Sequence, residues 1–310
     1  MKNQMKHRNQ GGRFPMKEKR LKPHTQATLT GFAFLTPQLL FFAIFTIYPI
    51  FEGIRLSLFK TTAVENTFVG LQNYINLFKD PVFIRALINT LFLVVVITAG
   101  NLLLGLIVSL AIFDKKSGYV SFIRSTFYLP VIVSTVVMAM VWKFLLNPAN
   151  GLVNYYLTRA TGKTVNLLGN ANTVLWIISF VTIVASVGTS IIMYVASMNS
   201  ISTEMLEAAK VDGASKFKTC VKIVVPQVKA TTLYLSVTTV ISILKLFVII
   251  QLLSDGGPNN ASMTLMYYLY RNAFSYNKMY VASAVGVIMF ILAVLIAIPQ
   301  FISMKNEEGN

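Results

Sequence analysis

An all-helical integral membrane protein with six transmembrane helices is the fold the sequence predicts, on three observations. Charged residues make up only 12% of the 310 residues and hydrophobic ones 55%, with a mean hydropathy of +0.64; a soluble chain carries about 25% charge. Six stretches are each long and apolar enough to cross a bilayer, which takes about 20 helical residues. Finally, Lys and Arg segregate to alternate connections between those stretches.

The spans are read at 30–58, 86–113, 127–146, 174–198, 230–253 and 280–303. The first follows a basic tail and contains Pro37 and Pro49. It is too long for the core of a cleaved signal peptide, and no small-residue cleavage site follows it, so it is expected to stay as a span. Pro130 and Pro299 fall in the third and sixth spans, where neighbouring helices can satisfy the freed carbonyls. Trp176, Tyr155, Tyr156 and Tyr280 fit the aromatic belt at the membrane surface. Several spans exceed the minimum length, which tilt accommodates.

Orientation follows from the basic residues. One side holds Lys2, Lys6, Arg8, Arg13, Lys17, Lys19, Arg20 and Lys22, then Lys115, Lys116 and Arg124. It also holds Lys210, Lys216, Lys218, Lys222, Lys229 and Lys305, seventeen in all. The other side has seven: Lys60, Lys79, Arg85, Arg159, Lys163, Arg271 and Lys278. Both termini and the connection 199–229 are therefore expected in the cytoplasm, in a multi-pass protein of the cytoplasmic membrane. The net charge of +16 is read as topology and not as nucleic-acid affinity, because no basic stripe is interleaved with aromatics. The chain divides into a disordered basic tail (1–29) that can rest on anionic lipid, a first helix with its external loop (30–85), a core (86–303) and a short tail (304–310). A lone cysteine, Cys220, excludes an internal disulfide and is read as a reduced thiol.

The connection 199–229 is patterned beyond the needs of a linker. Ser202 can cap a short helix through Glu207 and Lys210. Ala208 and Ala209 leave one face nearly bare, so another backbone can approach closely. Gly213 permits the left-handed turn that ends a helix. A second helix starts near Ser215, with Phe217, Val221 and Val224 expected as one apolar stripe and Lys218 and Lys222 on a wet face. Such an element fits a groove on a partner; an amphipathic helix lying on lipid headgroups is the physical alternative.

The run Glu207-Ala208-Ala209-Lys210-Val211-Asp212-Gly213-Ala214, with Phe217, Ile223 and Pro226 downstream, resembles the coupling loop of the membrane subunits of ATP-binding-cassette importers. The resemblance extends from residue 31 to residue 302, to the carbohydrate-uptake, maltose-permease-like branch. Phe68-Val69-Gly70-Leu71-Gln72-Asn73-Tyr74 with Asn89-Thr90 looks like its entry motif. Phe122-Ile123-Arg124, Leu129-Pro130, Trp142-Lys143, Asn147-Pro148, Gly151-Leu152 and Asn154 look like its third span and following loop. Gly256-Gly257-Pro258, Thr264-Leu265 and 267–274 look like its last external loop. Val248 departs from the pattern, standing where many relatives carry an acid.

The resemblance implies a type I importer permease fold and a binding-protein-dependent route for a sugar or oligosaccharide. It implies a second permease subunit, a cytoplasmic ATPase dimer that holds the ATP and Mg, and an extracytoplasmic solute-binding protein. Glu207, Ala208, Ala209, Asp212, Gly213, Ala214 and Phe217 would then form the ATPase-docking loop. An ion-coupled carrier of small polar solutes, or a scaffold without transport, is the alternative reading.

Enzyme chemistry has no constellation here: no catalytic residues, no metal site and no cofactor bound by this chain are expected. His7 and His24 both lie in the tail, and Thr161-Gly162-Lys163-Thr164 has Leu157 where a phosphate-binding loop needs its first glycine. All eleven acids fall in tails, loops or span ends, which speaks against a proton- or sodium-coupled carrier. Lys245 is the one charge expected near the middle of a span, about 12 Å from its outer end by helix rise. It is a candidate for the solute path, as are Asn101, Tyr194, Ser190 and Gln251, which offer amide, hydroxyl or ring to a sugar. Lys143 is expected to anchor a span end by snorkelling.

Overall fold

The structure, a computed structural model, describes residues 23–61 and 65–308. The tail expected at 1–29 lies outside the described residues as far as residue 22, and helix begins at Pro23. The chain forms two compact units, Met1–Glu52 and Gly53–Asn310.

The helix Pro23–Phe42 passes into a π-turn, Ala43–Ile47, and resumes as the helix Tyr48–Ser57, within which the smaller unit ends at Glu52. The π-turn has a local cause. Pro49 has no N–H for the carbonyl four residues back and its ring crowds that carbonyl, so the backbone widens just before it. The Tyr48 N–H donates to the Ala43 carbonyl, five residues back. The same register recurs in the larger unit, where the π-turn Cys220–Val224 is followed by Val225 donating to the Cys220 carbonyl and then by Pro226.

In the larger unit that helix is followed by a small antiparallel strand pair, Phe59–Thr61 with Asn66–Phe68, in which Phe59 faces Phe68. Gly70, at φ +55°, turns the chain into the helix Gln72–Lys79. The Asn73 amide donates to the carbonyls of Ser57 (2.8 Å) and Phe59 (2.9 Å), and the Tyr74 hydroxyl meets Ser57 Oγ at 2.7 Å. The Gly-Leu-x-Asn-Tyr stretch is thus a clamp that ties this surface helix to the end of the first span.

The second span is the helix Pro81–Ile112, begun by Asp80, whose carboxylate accepts from the Val82 N–H at 2.8 Å. It is the longest of the described helices and packs on the fourth span, Val174–Asn199. Small side chains bring part of their contact close, as expected where lipid offers no hydrophobic drive for association. A Cβ on Gly105 would sit 2.7 Å from the Ser190 Cβ, and Ser109 Oγ donates to the Ile191 carbonyl at 3.2 Å.

Two of the expected spans are corrected. The third is two helices, Ser117–Ile132 and Thr135–Leu145, bent by 95° at Val133 and Ser134. Its first helix begins ten residues before the expected start at 127. Pro130 removes the donor that would continue the ladder, and the chain turns extended three residues later. The fifth, expected as one helix over 230–253, comprises Lys216–Gln227 and Lys229–Leu244, bent by 59°. It then breaks at Lys245, and a separate short helix follows at Val248–Leu253. Among the described residues four helices are long and apolar enough to cross alone, and six crossings result if each bent pair is one span.

The helix Leu265–Tyr270 and the π-turn Arg271–Ser275 lead to the last span, Met279–Glu308. The loop before them is stapled to the second span. The Asn89 amide donates to the carbonyls of Met263 (2.9 Å) and Asn260 (3.3 Å), and Thr90 Oγ1 accepts from the Leu265 N–H at 2.9 Å. Apolar packing around Leu93, Ile97, Ile178, Ile250 and Leu265 fills this half of the unit. A second core of Tyr194, Met198, Val224, Val228 and Leu235 fills the half nearer the lysine-rich connections.

Candidate functional site

The elbow between the fourth and fifth spans is built by local rules and then held by the core. Ser202 Oγ accepts from the Met205 N–H at 3.4 Å and starts the helix Thr203–Val211. The helix ends in a paired-carbonyl turn. The Gly213 N–H donates to the Lys210 carbonyl at 3.1 Å and the Ala214 N–H to that of Ala209 at 2.9 Å, with Gly213 at φ +72°. Ser215 Oγ then accepts from the Lys218 N–H at 3.3 Å and starts the next helix, Lys216–Thr219.

The two faces of the elbow differ sharply. Leu206 and Ala209 turn inward; with Ile201, Leu206 packs on Tyr194, Met198, Val224 and Leu235. The elbow is therefore joined to the fourth and fifth spans through close-packed side chains. Outward, Glu207, Ala208, Asp212 and Gly213 are exposed, and so are three large apolar residues: Met205 at 41%, Val211 at 88% and Phe217 at 79%. A Cβ added at Gly213 would meet nothing within 4 Å, so that face is open. The expected stripe of Phe217, Val221 and Val224 is corrected. The π-turn winds more residues into one turn and so changes the angle between successive side chains; Val224 is fully buried while Phe217 and Val221 stay outside.

The solute-path candidates do not converge on one surface. The Asn101 amide donates to Ser186 Oγ at 2.9 Å and its carbonyl accepts from that hydroxyl at 3.2 Å, both buried or half-buried between the second and fourth spans. Ser190 lies against Gly105, and the Tyr194 hydroxyl donates to Thr232 Oγ1 at 3.0 Å, so these three lie at helix contacts. Lys245 ends the helix Lys229–Leu244 with its side chain exposed, not mid-helix as expected, and Gln251 is half-buried on the short helix beyond the break. Lys143 is also corrected: its Nζ donates to the Leu252 carbonyl at 2.8 Å, which ties the third span to that same short helix.

The loop 254–264 presents a second, smaller arrangement. Asp255, at φ +51°, accepts from the Tyr267 hydroxyl, and Asp80 accepts from the Tyr268 hydroxyl at 2.7 Å. Burial first, and then the bond to Asp255, push the Tyr267 phenol from 10.0 up to about 12. Both tyrosines thus remain neutral donors: Tyr267 ties the loop to the helix Leu265–Tyr270, and Tyr268 ties that helix to the start of the second span. Sequence reasoning missed these pairs and the exposed Val211; an acid and a tyrosine 188 residues apart leave no local sign of each other.

Known proteins share this organisation. The family described as "Binding-protein-dependent transport system inner membrane component" matches residues 101–300. A probable ABC transporter permease, YurN of Bacillus subtilis (strain 168), is 36% identical over 291 residues, covering 91% of this chain and 99% of that one. The sn-glycerol-3-phosphate transport system permease UgpA of Escherichia coli (strain UTI89 / UPEC) is 27% identical, covering 92% and 97%. Among solved structures, a bacterial ABC transporter involved in the import of the acidic polysaccharide alginate has a chain that superposes with a TM-score of 0.81 at 26% identity. It covers 91% of this chain and 97% of that one. The alginate transporter in complex with a periplasmic protein bound to an alginate pentasaccharide superposes equally well, at a TM-score of 0.81 and 26% identity, covering 91% and 96%.

Proposed function

Because this chain belongs to the binding-protein-dependent inner membrane components, the permeases of ATP-binding-cassette importers, we propose that it is one half of a heterodimeric sugar or oligosaccharide importer. The similarity to an alginate importer and a glycerol-phosphate permease supports a polar, hydroxyl-rich solute. The second permease completes the conduit, and a soluble protein outside the membrane delivers the solute. A dimeric ATPase, carrying the ATP and Mg, sits on the cytoplasmic side. The lysine-rich connections support an elbow and both termini on that side.

One observation carries the mechanical part: an elbow with an open apolar outer face and an inner face built into the span core. Met205, Val211 and Phe217 supply apolar anchors, and Ala208 and Gly213 leave room for a partner's backbone between them. Closure of the ATPase around nucleotide shifts the elbow. Leu206 and Ile201 pass that displacement to Tyr194, Met198 and Leu235, and so to the fourth and fifth spans. Close-packed side chains transmit displacement because they are nearly incompressible. Alternating access is then a shift between two arrangements, driven by the ATPase's differential affinity for them. The second and fourth spans can slide along the small-residue seam of Gly105 and Ser190.

Within this reading Lys245 and Gln251, beside the helix break, face the solute path, while Asn101, Ser190 and Tyr194 hold the seam next to it. Reconstitution of the complete complex in vesicles, with the solute-loaded binding protein outside and ATP inside, tests both statements. Uptake requires ATP and is indifferent to proton or sodium gradients; equal uptake without nucleotide overturns the function. Lys245→Ala raises the half-saturating solute concentration about tenfold, the loss of one charged hydrogen bond, while ATPase activity persists. Unchanged uptake in Lys245→Ala removes that residue from the path.

A further inference from the structure

Behind the elbow lies a cavity of about 690 Å³. It opens between the ends of the second and fourth spans, the start of the third, and the inner edge of the elbow. Its volume falls in the range of small-molecule sites, roughly 300–1,000 Å³. The floor is apolar, with Ile112, Met198, Ile201 and Leu206 among its walls. The mouth is basic, with Lys115, Lys210 and Lys216. Asp114 is the acid among its walls and engages one lysine, with Lys216 Nζ 3.7 Å from Asp114 Oδ2. Lys115 and Lys210 are exposed and have no ion-pair partner among the described residues.

We propose that this cavity binds an anionic phospholipid, with the phosphate held by Lys115 and Lys210 and an acyl segment on the apolar floor. Three features select that ligand. The mouth carries two uncompensated positive charges, which attract a phosphate or phosphodiester. The wall behind them is mostly apolar, with Phe113 beside Leu110, Ile112 and Leu206, which suits an acyl segment. The cavity also sits where the second span ends and the third begins, and basic pockets between spans suit anionic lipid headgroups. The bound lipid would brace the inner face of the elbow against the span ends. The proposal does not depend on the solute carried or on the ATPase.

Cys220 lines the same cavity and is the only cysteine of the chain, so it reports on occupancy directly. The complete complex is placed in phosphatidylcholine vesicles, with or without an equal part of phosphatidylglycerol. Maleimide labelling of Cys220 is then followed on this chain by peptide mass. Phosphatidylglycerol slows labelling about fivefold, the protection expected at about four-fifths occupancy. Inorganic phosphate in phosphatidylcholine vesicles gives no such protection. The Lys115→Gln/Lys210→Gln double variant labels at the unprotected rate in both vesicles, and Lys115→Arg/Lys210→Arg retains protection. Equal labelling in the two vesicles overturns the proposal. So does protection by inorganic phosphate alone, or protection that survives the glutamine pair, since a general effect of the anionic surface would survive it.

Discussion

Gly213→Asp leaves the chain folded and inserted but abolishes ATP-driven uptake. The residue sits at φ +72°, where most side chains are strained, but aspartate is among the few that tolerate left-handed backbone, at about 1 kcal/mol. Its Cβ would point into open space, so nothing within this chain opposes it. The open space is where the ATPase is proposed to close. A carboxylate there meets a partner backbone with no room for it, and its charge is buried unpaired. Losing one central docking contact costs about 2 kcal/mol or more, roughly a thirtyfold weaker hold. The measurement is co-purification of the ATPase together with vesicle uptake. Wild-type uptake in Gly213→Asp would remove the elbow from the coupling path. Gly213→Ala is the milder companion, with similar strain and neither bulk nor charge.

Gly188→Ala has the largest expected effect on stability. A Cβ there would lie 2.2 Å from the Phe127 carbonyl oxygen and 2.9 Å from the Tyr128 Cα. The obstacle is backbone, which cannot rotate away as a side chain could. The fourth span must separate from the bent third span, at a cost of about 3 kcal/mol or more. Thermal unfolding of the purified complex is the readout, with Gly118→Ala as the control. A Cβ on Gly118 meets nothing within 4 Å, and alanine favours helix, so this variant melts at or slightly above the wild-type temperature. Identical melting of the two variants would contradict the close approach at Gly188.

Much of the elbow was legible residue by residue. Ser202, Gly213 and Ser215 act within four positions of themselves, and each takes the role its chemistry dictates. The apolar stripe failed because Pro226 acts backward on the helix and inserts a π-turn, which rotates Val224 into the core and leaves Phe217 outside. The solute-path residues were harder to read. A buried amide in a span reads the same whether it faces a solute or a serine on the next helix, and Asn101 meets Ser186, 85 positions away.

The sequence by itself determined the all-helical membrane class, the six apolar segments and the capped elbow, because composition and short-range backbone chemistry act along the chain. Only the tertiary structure decided where the third and fifth spans break, which face of the elbow is open and which polar groups pair. Those outcomes depend on what lies opposite each residue in space. The Phe127 carbonyl beside Gly188, the Ser186 hydroxyl beside Asn101 and the core beneath Leu206 are all brought there by packing between distant segments.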